Sequence, residues 1–470
     1  MSAPPRILFI ASDTIGPSMA GSGIRAWNLA RVIGAQQPVT LATINDVSFT
    51  APPGVTLHSY AAPDESARGH TLAGLIASHD VIIAQHIPYI YTDPEVLRER
   101  LLIVDLYAPW ILEKLEYARI DAEIGEPGRR DDVAILNRLL SLGDAFICAS
   151  ERQRDFWLGA LAAANRLETA GAKNDPSLRN LIDVVPFGLP AEPPARNGPG
   201  PREQFATVGE EAKLILWNGG LWNWLDPFTA IEAMALVAER EPRARLIFMG
   251  VRSPSEVVAR MRVVDDARAL AERLGLLDRV VIFNDWVPYE ERQNWLLEAD
   301  LGLSLHHSSL EARFAYRTRM LDNLWCSLPV VATEGDILAD LIEHEQIGRT
   351  APPGDANAVA EAIMQALDAD NQSTFRENLK RIAPDHSWEA VALPLLRWCA
   401  QPVRSESPHA ADPRDEYIHR LERTYSETAD YSRHLERAIA DKDRQLAAQE
   451  LTLRNLIGAA KRRLRHFLPG

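Results

Sequence analysis

The sequence predicts two doubly wound α/β domains joined by a proline-rich linker and followed by a long helix. Three observations predict this. Short continuous apolar runs alternate with amphipathic segments, as buried parallel strands alternate with helices. The window 189–204 holds five prolines and two glycines, and after it the alternation starts afresh. Beyond a second break at 401–413 the apolar residues change to near-heptad spacing.

The first strand is the apolar run 7–11. A loop containing glycine follows, then a helix over 24–33. Further strands are expected at 39–43, 81–84, 102–105, 145–149 and 183–186. After the linker, strands are expected at 214–217, 245–249, 280–283, 301–305 and 329–333, with a helix at 228–239. The boundaries are then 1–188 for a first Rossmann-like domain, 189–210 for the linker and 211–384 for a second Rossmann-like domain. A helix at 385–400 returns to the first domain, 401–413 is another linker, and 414–470 is a long helix. In that helix Leu435, Ile439, Leu446, Leu453 and Ile457 lie near seven-residue spacing, interrupted by Lys442 and Gln449. The segment 414–457 is thus a candidate coiled coil for a homo-oligomer.

Composition narrows the function. The chain has 470 residues, 46% apolar and 24% charged, which is ordinary for soluble globular domains. Its formal charge of -15 argues against a nucleic-acid binder, which needs a basic face for phosphates. Cys148, Cys326 and Cys399 are scattered, with neither zinc spacing nor a disulfide framework, so a cytoplasmic location is expected. No apolar run is long enough to span a bilayer, and no signal peptide is read at the start. Residues 411–470 carry 12 Lys+Arg against 10 Asp+Glu, leaving -17 on the rest. The last stretch, 451–470, has five basic residues, no acid and seven large apolar ones. A basic amphipathic end of this kind suits the anionic inner face of a plasma membrane.

Three segments carry chemistry. Residues 16–25 read G-P-S-M-A-G-S-G-I-R, with Gly21 and Gly23 just before a helix. Either they make a tight turn, or they let an anion approach the free N–H groups of the helix start. Residues 217–227 read W-N-G-G-L-W-N-W-L-D-P. There Gly219 and Gly220 follow a strand, and Trp222 and Trp224 either pack at the domain interface or stack on a ligand ring. Residues 304–322 read S-L-H-H-S-S-L-E-A-R-F-A-Y-R-T-R-M-L-D. Read as one helix, this segment puts Arg319 and Asp322 on one face, with Arg317 near the same side. Its arginines suit a diphosphate and its acid suits ribose hydroxyls, unless the cluster is a solvated ion-pair lattice. The neighbouring His306 and His307 point apart on an extended chain, and no third ligand is visible, so no metal site is expected.

Together these residues resemble a GT-B glycosyltransferase of glycosyltransferase family four, in a bacterial subgroup. The marks are G-S-G-I-R-A-W-N-L-A-R at 21–31, D-L-Y-A-P at 105–109, C-A-S-E-R-Q-R-D-F-W at 148–157 and the tryptophan loop. D-W-V-P-Y at 285–289, the arginine-rich segment and L-P-V-V-A-T at 328–333 complete the set, and the likeness spans roughly residues 5–400. It implies transfer of a sugar from a nucleoside-diphosphate donor with retention of configuration and no metal or other cofactor. The donor sits mostly on the second domain and a saccharide or lipid-linked acceptor on the first. The expected donor set is Gly21, Gly23, Gly219, Gly220, Trp222, Trp224, Asp226, Val287, Arg317, Thr318, Arg319 and Asp322.

The pattern departs from the family in two places. Of the family's two glutamates, the second falls on Asp322, which can still hold ribose. The first falls on Phe314, and Glu311 takes its place if the loop is longer. The usual Arg and Lys after the first strand of the second domain are absent, and Arg317 and Arg319 supply the charge. Asp226 then braces its loop or accepts a sugar hydroxyl. His86 and Asp105, at the ends of first-domain strands, are placed for acceptor contacts or for internal hydrogen bonds. With Glu311 they form the catalytic set. The implied product is a surface glycan, lipopolysaccharide or glycolipid. Two other functions fit the same architecture: a nucleotide-sugar epimerase, and a non-catalytic carbohydrate-binding scaffold.

Overall fold

The computed structural model describes residues 4–16, 19, 21–45, 47, 50–61, 65–85, 94–120, 122–251, 262–402 and 404, and five helical positions beyond them. Those five are Tyr431, Leu435, Ala438, Ile439 and Lys442, all exposed. The expected coiled coil at 414–457 otherwise lies outside the described residues, as does the basic end at 451–470. Among the described residues no helix is long and apolar enough to cross a membrane.

Two parallel sheets organise residues 7–351. The first contains β1 (Ile7–Ile10), β2 (Val39–Thr43), β3 (Val55–Ser59), β4 (Val81–Ala84), β5 (Leu101–Asp105), β6 (Ala145–Cys148) and β7 (Ile182–Val184). Their order is β3-β2-β1-β4-β5-β6-β7. The second contains β8 (Lys213–Gly220), β9 (Ala244–Gly250), β10 (Val281–Phe283), β11 (Leu301–Ser304), β12 (Val330–Thr333) and β13 (Gly348–Ala351). Their order is β10-β9-β8-β11-β12-β13. The inner strands read as unbroken apolar runs because helices cover both faces, and β1, β4, β5 and β12 are buried at every residue. This is the GT-B arrangement, two Rossmann-like domains in one chain. In each sheet the order reverses beside its first strand, so the crevices open beyond β1/β4 and β8/β11.

β3 and β13 are absent from the sequence-based expectation. Both are edge strands, where one side of the ladder is unpaired and the apolar signal thins out. Along β3 only Val55 is fully buried, and β13 is the short run G-R-T-A. A third difference concerns 304–322, which is two short helices, Leu310–Phe314 and Arg319–Trp325. Ser309 caps the first, and Ala315 turns extended at φ -67, ψ 140 to end it. Arg317 therefore precedes the second helix and does not share its face with Asp322.

The helices Trp388–Val391 and Leu393–Ala400 lie on the first domain. The Trp388 ring meets Phe187 at 4.7 Å, Arg31 bonds Glu389 at 2.9 Å, and Arg397 bonds Asp183 at 2.9 Å. The helix Glu151–Ala163 clasps the second domain. Arg152 donates to the Gly335 carbonyl at 2.8 Å and pairs with Asp340. Gln153 donates to the Phe314 carbonyl at 2.9 Å, and Phe156 meets the Phe314 ring at 5.0 Å. A glutamate at 314 would lose that ring contact, which explains the phenylalanine there.

Candidate active site

On the first domain the floor of the crevice is a buried polar network. Arg25, in the helix Gly21–Gly34, is fully enclosed. It reaches both oxygens of Asp105, at 2.7 and 2.9 Å, and the carbonyls of Val185 and Pro186, at 2.8 and 2.9 Å. Gln85 extends the network, donating to Asp105 at 3.3 Å and to the Ser22 carbonyl at 3.2 Å. Ser22 in turn donates to Asp13 at 3.0 Å. Asp105 is thus an internal brace at the end of β5, one of the two roles open to it from sequence. His86 lies outside the described residues. Gly21 opens the helix, and a methyl on it would come within 3.6 Å of the Tyr107 hydroxyl. Gly23 is dictated by packing, since a methyl there would sit 2.6 Å from the Thr14 carbonyl oxygen.

On the second domain the carboxyl end of β8 bends at Gly219, whose φ of +94 favours glycine. Asp226 is buried and caps the helix Pro227–Arg240, accepting from the Thr229 N–H at 3.0 Å and its hydroxyl at 2.6 Å. It braces the loop. Trp222 and Trp224 stack on each other, centroids 5.3 Å apart and planes 9° off parallel, so each ring has one face taken. Val287 packs against the core below β9 and β10.

Glu311 and Arg317 form a buried bidentate pair at 3.0 and 2.7 Å. The pair spans the break at Ala315, a geometry no continuous helix allows. Sequence assigned Arg317 and Arg319 alike to a diphosphate, but Arg317 is committed to Glu311. Thr318 stands at the start of the next helix without a side-chain cap. Arg319 differs from Arg317. Its guanidinium carbon would lie 3.5 Å from a methyl on Gly219, and its Nη1 is buried with no hydrogen-bond partner. Burial, and then the neighbouring charge of Arg317, hold its pKa down to about 9. Its Nη1 thus lies near a glycine turn without a hydrogen-bond acceptor, while the charge of Glu311 opposes the downward shift. Asp322 accepts from Arg292 Nε at 2.8 Å, and burial raises its pKa against the pull of that arginine. Arg292, missed from sequence, stacks on Tyr289 at 3.6 Å and lies 4.9 Å from the Trp325 ring. No spacing rule links residues 292 and 322, so only the fold reveals the pair.

His306 is buried, its Nε2 3.5 Å from Asp336, while His307 is half exposed, 3.8 Å from Asp226. Among the described residues no group of three or more His, Cys, Asp or Glu is placed to hold a metal. His306 also lines a hollow of about 370 Å³ with Arg152, Ser308, Ser309, Arg313 and Glu334. Residues from both domains line it.

Glu113, on the helix Trp110–Ile120, was not singled out by sequence. Burial and the charge of Glu311 push its pKa from the ordinary 4.5 to about 7, against Arg317 and Lys114. The folded protein therefore holds this proton more tightly than the unfolded chain. Its contribution to stability is full below about pH 4.5 and is lost as pH rises through about 7. Denaturant unfolding should show stability falling across that window by about 3 kcal/mol, and Glu113→Gln should flatten the slope. An unchanged slope in the variant would contradict the assignment.

Residues 212–369 match the family model described as Glycosyl transferases group 1. That segment, about a third of the chain, is similar to the group 1 glycosyl transferases. The matched segment contains every second-domain residue described above. The chain is similar to the chitobiosyldiphosphodolichol beta-mannosyltransferase of Homo sapiens, 28% identical over 125 residues, 25% of this chain. The match spans about a quarter (26%) of that relative's length. Among solved structures the fold resembles Anabaena HepE, crystallised with UDP-glucose, at a TM-score of 0.57 and 17% identity. That match covers 84% of this chain and 98% of HepE. WaaG, a glycosyltransferase involved in lipopolysaccharide biosynthesis, aligns at 0.57 and 15% identity over 84% of this chain and 100% of its own.

Within the matched segment, Arg319→Met tests the unpaired cation. The fold should be unchanged or slightly more stable, by about 0–1 kcal/mol, because a partly buried charge is removed. Nucleoside-diphosphate binding should fall roughly 10- to 100-fold by calorimetry, the worth of a charge-assisted contact. Equal affinity in both proteins would remove Arg319 from the phosphate site.

Proposed function

We propose that the protein is a retaining glycosyltransferase that moves a sugar from a nucleoside-diphosphate donor to a saccharide or lipid-linked acceptor. The observation that carries this reading is the unpaired Arg319 guanidinium against the Gly219 turn, within the segment matching the family model. It stands at the carboxyl end of β8, where open parallel sheets bind ligands. There it would meet the charge that grows on the departing diphosphate. The bond from the anomeric carbon to the phosphate oxygen breaks as the acceptor oxygen bonds to the same face. The acceptor's proton passes to the leaving phosphate. In this reading no metal is used, and the buried Glu311–Arg317 pair shapes the sugar side of the site. Asp322, with one oxygen on Arg292, keeps the other for a ribose hydroxyl.

HepE supports a nucleotide-sugar donor by the ligand in its crystal, and WaaG and the mannosyltransferase support a glycolipid acceptor by their names. A surface glycan made at the cytoplasmic face of the membrane fits these relatives and the basic stretch 451–470. The test is incubation with a panel of nucleotide sugars, with and without saccharide and lipid-linked acceptors. Acceptor-dependent release of nucleoside diphosphate, undiminished by EDTA, with the anomeric configuration kept in the product, is the expected result. Conversion of donor alone would point to an epimerase instead.

A further inference from the structure

We propose that Gln153 is a positioning residue for sugar transfer: from the first domain, its side-chain amide holds the helix break across which Glu311 meets Arg317. The inference rests on the reading above, in which that pair shapes the sugar side of the site. Gln153 belongs to the stretch C-A-S-E-R-Q-R-D-F-W at 148–157, whose residues so far serve only to clasp the domains.

Gln153 lies in the first turn of the helix Glu151–Ala163 and is fully enclosed. Its backbone N–H donates to Ser150 Oγ at 3.1 Å, which fixes the start of that helix. Its side chain joins the two domains. Oε1 accepts from the Ala149 N–H at 2.8 Å, just beyond β6, and Nε2 donates to the Phe314 carbonyl at 2.9 Å. Both partners are backbone groups of fixed polarity, so the amide has a single satisfactory orientation. A glutamate carboxylate cannot donate, lysine cannot accept, and asparagine is one methylene shorter. The two contacts together ask for glutamine.

The far partner matters because of where it stands. Phe314 is the last residue of the helix Leu310–Phe314. A helix end leaves its final carbonyls without a partner inside the helix, and burying one unpaired is costly. Here the first domain supplies the donor. At the next residue, Ala315, the backbone turns extended at ψ 140. That departure lets Arg317 turn back on Glu311 with two bonds, at 3.0 and 2.7 Å. Phe156, three residues along from Gln153, meets the Phe314 ring at 5.0 Å. A polar tie on the carbonyl and an apolar contact on the ring thus hold residue 314 from outside its own domain. The charged pair is built within the second domain, yet the break that forms it is held by the first. Loss of that hold would let the pair drift, and a displacement of about 1 Å costs roughly 100-fold in rate.

The experiment uses the full chain and two variants. Gln153→Met keeps the length and removes both side-chain hydrogen bonds, and Gln153→Glu keeps the acceptor and loses the donor. Hydrogen–deuterium exchange over 310–320 should quicken in Gln153→Met. Turnover with the donor and acceptor found by the nucleotide-sugar panel should fall roughly 10- to 100-fold, while affinity for the matching nucleoside diphosphate stays within about twofold by calorimetry. Relative to wild type, Gln153→Glu should be as slow as Gln153→Met at high pH and recover as pH falls. Burial raises the pKa of the new carboxyl, and once protonated it donates to the Phe314 carbonyl again. A merely structural glutamine would lower binding and turnover together and show no such recovery. Unchanged exchange at 310–320 would overturn the inference without reference to any substrate. Unchanged turnover in Gln153→Met, or no recovery of Gln153→Glu at low pH, would overturn it and leave the proposed function standing. Wild-type protein that transfers no sugar would instead sink the proposed function, and the part of Gln153 in transfer with it.

Discussion

Arg25→Ala is expected to lower the stability of the protein by about 3–5 kcal/mol, the cost of breaking a buried ion pair by removing one partner. The guanidinium and the Asp105 carboxylate are both fully screened from solvent. The substitution leaves that carboxylate without its counter-charge and orphans the Val185 and Pro186 carbonyls. It also uncouples the helix after β1 from the segment after β7, since one side chain ties both to the end of β5. Guanidinium unfolding of the single variant, of Asp105→Asn and of Arg25→Met with Asp105→Leu would separate the parts. The paired apolar replacement should recover much of the loss, because it removes both buried charges together. A single variant within about 0.5 kcal/mol of wild type would show the network to be dispensable.

Glu311→Ala is expected to have the second large effect, on stability and activity at once. It strands the Arg317 guanidinium, which is enclosed and whose Nε already lacks a partner. A loss of about 3–5 kcal/mol follows from the uncompensated charge. The same change lifts the like charge facing Glu113, so the proton held at about pH 7 in wild type should be held less tightly. Transfer activity should drop by 100-fold or more if the pair shapes the sugar site, as removal of a preorganised charge does elsewhere. A double-mutant cycle with Arg317→Ala reads the pair directly. Coupling below about 0.5 kcal/mol would mean the two side chains act independently, and full activity in Glu311→Ala would take the pair out of the site.

Much of the site is written in short-range patterns. The glycines after β1 and at the end of β8, the tryptophans that follow and the arginines near 317 all stand out because unusual residues cluster at strand ends. What those patterns could not assign is which partner each charge takes. Arg317 and Arg319 are two residues apart and chemically identical. One is neutralised by Glu311 across a helix break, the other left open against Gly219. Asp105 and Asp226 look like ligand-facing acids in sequence, yet each is engaged within its own domain. Phe314 looks like a lost catalytic residue and is a packing contact to Phe156. Arg292 and Glu113 carry no local signature at all, since their roles depend on residues about 30 or more positions away in the chain.

The sequence alone determined the two α/β halves, the inner strands and the broken linker between them. Buried parallel strands must be apolar along their whole length, and proline cannot continue either element. It left out β3 and β13, because an edge strand is covered on fewer sides and needs less apolar surface. Only the tertiary structure decided how the charges are shared. The Glu151–Ala163 helix brings the first domain onto Phe314, Gly335 and Asp340, and enclosing the charged side chains there makes each unpaired atom count. Pairing in a buried crevice is set by distance and desolvation between segments far apart in the chain, and no local pattern carries that information.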